Sequence, residues 1–372
     1  MIGKKECKIV IFHEYDAPEH YKGLYSKAEE YGFDIDYNVF RYVRPFIKSI
    51  FTFNFKKTAT VVNSMKNLIK YMIVKSTDTI IVGIAPYNRY MHIFNLMSKK
   101  NRVIYFTSQT CWDDGEEIKW KRGEFTRSVW RKFLKDRETF CVTHFAKDAI
   151  KPYTANTCVV YHSIDLDRFI IKDTDKNTDK CTRNFIFIGK LIDWKRADWI
   201  LKFMAENKQL DITMTFVGKG PLEQDVIKAS EVDPRIIYLG FRDRKFIESN
   251  LHKYDYLILP SRREPFGIVL IESMCCGVVP IASNCEGAQT VIRNKENGFA
   301  FDRHKYDEFC ITMHEAANLK RKIYSTISKE CIRTGSLFDK KAIGDLWIDF
   351  ICKKNSSASY SSLGGIYDGN IL

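Results

Sequence analysis

The sequence predicts an α/β protein made of two doubly wound, Rossmann-like domains with a cleft between them, each a parallel sheet covered by helices on both faces. Three observations lead there. Short apolar runs alternate with helical stretches from one end of the chain to the other. A polar, aperiodic stretch around residues 166–182, including DTDKNTDK, separates two series of such runs. The chain has 372 residues, and chains beyond roughly 250–300 residues generally divide into separate cores.

The first series reads as strands at residues 7–12, 33–39, 79–82, 102–106 and 140–142, and the second at 185–188, 212–217, 236–239, 256–259 and 279–282. Their cores, such as IVIF, FIFI and YLIL, are continuous apolar runs rich in β-branched and aromatic residues. Strands buried on both faces of a parallel sheet have that composition. The expected domains are residues 1–165 and 166–335. A helix over 339–352, with Phe338, Leu346, Ile348 and Phe350 to pack, is expected to rejoin the first domain. Residues 356–372, opening with SSASYSSLGG, read as a flexible tail.

Composition narrows the function. The apolar start at Ile9–Phe12 is bounded by Lys8 and His13, so it reads as a strand and not as a signal peptide. No uninterrupted apolar run approaches the roughly 20 residues of a membrane span. The eleven cysteines are scattered and form no CxxC pair, which argues against zinc and fits a reducing cytoplasm. The net charge of +13 leaves nucleic acid, an anionic membrane or a phosphorylated ligand as partners. Residues 41–75 hold eight Lys or Arg, no acid, and interleaved Phe46, Ile47, Phe51, Phe53, Met65, Ile69 and Ile73. That mix suits either a segment on an anionic bilayer or an ordinary surface helix with its apolar side inward. Nucleic-acid modules carry a recognition helix or stacking motif, and the sequence has neither.

The chemistry concentrates between Lys190 and Glu272. In RREPFGIVLIESMCCG (262–277) a strand ends at Pro260, a loop holds Glu264, Pro265 and Phe266, and a helix opens at Gly267 and runs through Ile268 to Glu272. Gly267 lets a ligand approach the backbone, and the free N–H groups of the first turn form an anion site. Glu272 lies about 7.5 Å further along the axis. Two carboxylates flanking a helix N-terminus could hold hydroxyls at both ends of a nucleotide sugar, whose diphosphate lies between them. In FIFIGKLIDWKR (185–196) another strand runs into Gly189, Lys190 and Lys195, two cations placed for a diphosphate at the carboxyl end of a strand. FVGKGP (216–221), with Gly218, is a third strand-to-glycine turn. Each turn alone is weak; three in one half point to a ligand crevice.

Residues 156–302 resemble the donor domain of GT-B retaining glycosyltransferases of family 4, also called glycosyl transferases group 1. VVYHSIDLDRF, IGKLIDWKRADWIL, FVGKGPLEQDV, IIYLGF, LPSRREPFGIVLIESMCCGVVPIAS with its Glu-x7-Glu spacing, and ENGFAFD follow in the family's order. The resemblance implies a retaining glycosyltransferase using a nucleotide-diphosphate sugar, with no cofactor and no metal. Glu264 would hold donor-sugar hydroxyls, Glu272 the ribose, and Lys195 the diphosphate. Lys190 stands where the family usually has arginine, which keeps the charge and loses the bidentate fork. Arg196 stands where glycine is common. Backbone N–H groups near Phe266 and Gly267 would meet the phosphate, and Phe241 or Arg242 could touch the base.

The first half matches the family less well. Its acceptor-side histidine is missing from YFTSQTCWDDGEE, and His13, at the end of the first strand, is the acceptor-side candidate. Asp113, Asp114, Glu116 and Glu117 read as a loop without metal. The expected acceptor is a glycan or lipid-linked saccharide, met by a cytoplasmic enzyme peripheral to the inner membrane face. The rival readings are a nucleotide-sugar epimerase of similar architecture and a non-catalytic sugar or nucleic-acid binder.

Overall fold

The computed structural model describes residues 7–14, 16–39, 55–76, 78–83, 91–108, 131–174 and 183–352. The basic stretch before residue 55, the acidic cluster at 113–117, residues 122–130, most of the DTDKNTDK stretch and the tail expected at 356–372 lie outside them. The chain divides into two compact units, one running to Ser163 and resuming at Lys340, the other spanning Ile164–Asp339.

The first unit is built on β1 (Cys7–His13), β2 (Phe33–Val39), β3 (Thr79–Gly83), β4 (Arg102–Thr107), β5 (Thr139–Cys141) and β6 (Thr157–Val159). They form a parallel six-stranded sheet in the order β2-β1-β3-β4-β5-β6. The strand order reverses between β1 and β3, where His13 pairs in register with Gly83. Val10, Phe12, Ile80, Val82 and Tyr105 turn toward one helical layer and pack with Phe94, Met97 and Phe133. The helices α1 (Lys22–Ala28), α2 (Phe55–Ile73), α3 (Met91–Ser98) and α4 (His144–Ile150) flank the sheet.

The second unit repeats the plan. Strands β7 (Arg183–Ile188), β8 (Ile212–Val217), β9 (Ile236–Gly240), β10 (Tyr256–Leu259), β11 (Val279–Ser283) and β12 (Phe299–Phe301) lie parallel in the order β12-β11-β10-β7-β8-β9. Helices α5 (Ala197–Glu206), α6 (Glu223–Val232), α7 (Arg244–Asn250), α8 (Ile268–Cys275), α9 (Glu286–Val291), α10 (Tyr306–Ala317) and α11 (Arg321–Ser336) cover it. Here the switch falls between β7 and β10, and ligands in open parallel sheets bind at the carboxyl ends of the strands at such a point. At the opposite, amino ends of the same strands, buried Asp255 accepts from Lys172 Nζ at 2.6 Å and from the Asn184 N–H at 3.0 Å. Burial opposes its ionisation, but Lys172 and the Asn184 hydrogen bond outweigh that and hold the carboxyl below the usual range. This pairing ties the amino ends of the strands together.

The last described helix, α12 (Lys340–Cys352), belongs to the first unit and packs on α1. Close approach is possible because Gly23 and Gly344 face each other: a Cβ on Gly344 would stand 2.5 Å from the Gly23 carbonyl oxygen. The Ser26 hydroxyl donates to the Lys340 carbonyl at 2.8 Å, and Trp347 sits 5.2 Å from the Phe106 ring and 5.9 Å from Tyr21.

The two parallel sheets agree with the predicted class. All ten predicted strands are present with ends shifted by at most two residues, while β6 and β12 were not expected. Each has only three residues, too few to show a period.

Candidate functional site

The site is assembled from turns that leave the carboxyl ends of β7, β8 and β10. After β7, the Gly189 N–H donates to the Val217 carbonyl at 3.0 Å and the Leu191 N–H to Lys219 at 3.0 Å. The Gly218 N–H donates to the Gly240 carbonyl at 2.9 Å. The turns therefore lie against one another, and Gly218 is what allows it. Its φ is +145°, and a Cβ there would stand 1.8 Å from the Gly189 oxygen. Lys190 is exposed just beyond Gly189.

Lys195 closes a short 3-10 turn, Asp193–Lys195, and its ammonium pairs with the Glu264 carboxylate from the loop after β10. The two loops are joined twice more. The Arg262 N–H donates to the Trp194 carbonyl at 2.7 Å, and the Arg262 guanidinium meets Asp193 at 3.1 Å. Residues 69 apart in sequence are thus brought together at the β7/β10 switch. Arg196, next in the chain, adopts the left-handed conformation with φ 54° and ψ 45°. Glycine takes that conformation without a steric cost, and other residues do not. Here Arg196 offsets the cost through a hydrogen bond to the Arg303 carbonyl and by lying 4.2 Å over the Trp199 ring.

The helix expected to open at Gly267 begins at Ile268, with Gly267 as its N-cap. The correction follows from the backbone: at φ +73° Gly267 is outside helical geometry, and a Cβ would meet Glu264 Cγ at 2.9 Å. No side chain caps α8. The loop is braced from behind, where the Gly287 N–H donates to the Glu264 carbonyl at 2.7 Å. Phe266 is buried, its ring 6.2 Å from Phe338, so only its backbone can serve a ligand.

Glu272 lies one turn into α8 and is 5% exposed. Its carboxylate meets Arg244, the first residue of α7, at 2.5 Å. Arg244 also donates to Glu248 at 3.0 Å and lies 5.5 Å over the Phe169 ring. Burial works against the Arg244 charge, but the two glutamates outweigh it and raise its pKa. The sequence reading missed Arg244. It lies in no motif, and only the general rule that a buried carboxylate needs a counter-charge could have prompted a search.

Phe241 and Arg242 follow β9, and both are exposed, with Arg242 5.5 Å over the Phe246 ring. His13 belongs to the other unit. It is 5% exposed in an aromatic group with His20 at 5.4 Å, Tyr21 at 5.7 Å and Tyr37 at 6.4 Å. Among the described residues, no three His, Cys, Asp or Glu side chains are arranged to hold a metal ion.

An anion-receptive helix start, Lys190 and the Lys195–Glu264 pair thus meet at the switch point, with a second carboxylate held further along the same helix. The segment carrying them is matched by the family model of the glycosyl transferases group 1, over residues 169–327. Among curated relatives, an uncharacterised 41.2 kDa protein in the cps region of Klebsiella pneumoniae is 25% identical over 207 residues, covering 51% of this chain and 54% of that protein. The chain spans about half the length, or less, of the curated relatives it matches first. The fold is that of solved GT-B structures. The Anabaena protein HepE, in complex with UDP-glucose, superposes with a TM-score of 0.70 at 14% identity, over 93% of this chain and 99% of that one. Sucrose-phosphate synthase from Thermosynechococcus elongatus gives a TM-score of 0.73 at 15% identity, over 93% and 98%.

Proposed function

We propose that this protein is a retaining glycosyltransferase that moves a sugar from a nucleotide-diphosphate donor to a glycan or lipid-linked saccharide. The carrying observation is the Lys195–Glu264 pair at the β7/β10 switch, beside the uncapped start of α8. In this reading the donor diphosphate lies against the N–H groups at Gly267 and Ile268. Lys190 and Lys195 stabilise the charge that grows on the phosphate as the glycosidic bond breaks, the kind of term that usually dominates such catalysis. Glu264 takes donor-sugar hydroxyls and Glu272 takes the ribose. The departing phosphate oxygen accepts the acceptor's proton on the same face of the sugar, so configuration is retained without a protein base. No cofactor or metal enters this scheme.

A lipid-linked acceptor is supported by α2. Val62, Met65, Ile69 and Ile73 recur at helical spacing and are 37–65% exposed, while Tyr71 is buried and Leu68 and Met72 pack on the core. Lys66 and Lys70 are exposed on the same helix, and the surrounding sequence from 41 to 75 has no acid. An apolar face edged by cations fits a cytoplasmic anionic bilayer surface.

The test is nucleotide release from a panel of nucleotide sugars, with and without saccharide acceptors, followed by assignment of the product anomer. Transfer with the donor's anomeric configuration is expected. An inverted product would overturn retention, and interconversion of donor sugars without transfer would make the protein an epimerase.

A further inference from the structure

We infer that Arg244 is a positioning residue for nucleotide recognition: it fixes the Glu272 carboxylate for the hydroxyls of the ribose. The inference rests on the reading above that Glu272 meets the ribose.

The argument starts from burial. Glu272 is 5% exposed on a helix whose neighbouring side chains Leu270, Ile271 and Met274 are fully buried. A carboxylate in such surroundings needs a charged partner. Arg244 supplies it from a different element, at 2.5 Å, through one terminal nitrogen. The rest of the guanidinium is held elsewhere: Nε donates to Glu248 at 3.0 Å and the group lies over Phe169. Glu248 in turn lies 3.7 Å from Arg168, which pairs with Asp165 at 3.1 Å. Arg244 is therefore clamped from behind by Glu248 and faces Glu272 in front. A guanidinium so held gives the buried carboxylate a fixed counter-charge at one of its oxygens.

The consequence is specific to sugar hydroxyls. An ionised carboxylate only accepts hydrogen bonds, and a ribose cis-diol offers two donors. The chain Asp165, Arg168, Glu248, Arg244, Glu272 contains three carboxylates and two guanidinium groups, so it favours a ligand that donates. Without Arg244 the carboxylate would lose this buried counter-charge, and the diol contribution would fall while the diphosphate contacts stayed.

The experiment uses the full chain and calorimetric titration with UDP and GDP, taking the tighter binder and its 2′,3′-dideoxy counterpart. The unaltered protein should prefer the ribonucleotide. In Arg244→Gln the ribonucleotide should weaken by about tenfold with the dideoxy compound changed less than twofold, the scale of one charged hydrogen bond. Arg244→Lys should recover part of the preference. KM for the donor should rise with kcat at saturation nearly unchanged. Thermal unfolding separates folding from binding, and Glu248→Gln, which loosens the clamp alone, should shift the preference the same way should Arg244→Gln not fold. Equal weakening of both nucleotides, or no change in either, overturns the positioning role. If Glu272→Gln itself keeps the full ribose preference, the ribose reading fails instead.

Discussion

At the scale of single residues, Lys195 and Glu264 act as a couple, which changes what their substitutions should do. Lys195→Ala should reduce turnover by about 10²-fold, the magnitude seen when one stabiliser of developing charge is removed. Glu264→Gln should abolish most transfer and leave affinity for the bare nucleoside diphosphate nearly intact, because only the sugar end is affected. Since the two side chains form an ion pair, their effects should be non-additive: the double variant should be less impaired than the product of the singles. Steady-state rates for the three variants, with nucleotide titrations alongside, check this. Strict additivity would mean that the pair is incidental. Lys190, exposed at the end of its turn, should couple less to Glu264 than Lys195 does. The residue types and their order were legible in the sequence, because the Glu-x7-Glu spacing and the two lysines are local features. Their pairings were not. Lys195 with Glu264 and Arg244 with Glu272 join segments far apart in the chain, and side-chain partners of that kind depend on how strands are ordered in the sheet.

At the scale of elements, the glycine turns determine whether the site exists. Gly218→Ala places a methyl group within 1.8 Å of a backbone oxygen, where nothing flexible can yield. It should therefore unfold at lower temperature and lose donor binding together. Gly267→Ala is a different case. The clash is with the Glu264 side chain at 2.9 Å, and the φ of +73° is unfavourable for alanine by about 1 kcal/mol or more. That variant should stay folded and bind nucleotide diphosphate weakly, because the N-terminal turn of α8 is displaced. Thermal melts paired with calorimetry distinguish the two, and a Gly267→Ala protein with normal affinity would show that the phosphate does not lie there. The long apolar strands were readable because a buried parallel strand is a continuous run of β-branched and aromatic residues. The three-residue β6 and β12 were not, since they are specified by their neighbours and not by their own composition. Gly267 shows the same limit at a helix end: glycine predicted a boundary there, but its left-handed φ, which puts it outside α8, is a matter of backbone geometry.

At the scale of the whole molecule, acid should affect the first unit through the half-buried His20 and the buried His162. The His20 and His162 rings lie 4.6 Å apart, tilted at 44°, among His13, Tyr21 and Phe106. Burial lowers the His20 pKa to about 4 and that of His162 well below its ordinary value. The sign follows from linkage. Between the unfolded value of 6.5 and the lower folded values, the unfolded chain binds more protons, so stability is full above pH 6.5 and is lost as pH falls toward 4. The loss is bounded by about 1.4 kcal/mol per pH unit for each histidine. Urea midpoints should therefore drop between pH 7 and pH 5, and His162→Gln should flatten that slope; an unchanged slope would mean that the pair is not responsible.

The same unit carries the surface proposed to meet a membrane, and its test is the more consequential one. A helix facing water along Val62, Met65, Ile69 and Ile73 leaves apolar area uncovered that a bilayer would remove from solvent, at roughly 25 cal/mol per Å². Each lysine near an anionic leaflet adds about 1 kcal/mol. Sedimentation with vesicles containing anionic phospholipid should carry the protein down at low salt, and less so as screening increases. Ile69→Ser with Ile73→Ser should reduce binding at every salt concentration, whereas Lys66→Gln with Lys70→Gln should reduce it and also shallow the salt dependence. Neither pair lies in the donor unit, so nucleotide release from the donor should be unchanged in solution. Equal binding to neutral vesicles would remove the electrostatic half of the argument. Indifference to all vesicles would leave a soluble saccharide as the acceptor, with the chemistry at the β7/β10 switch unaffected.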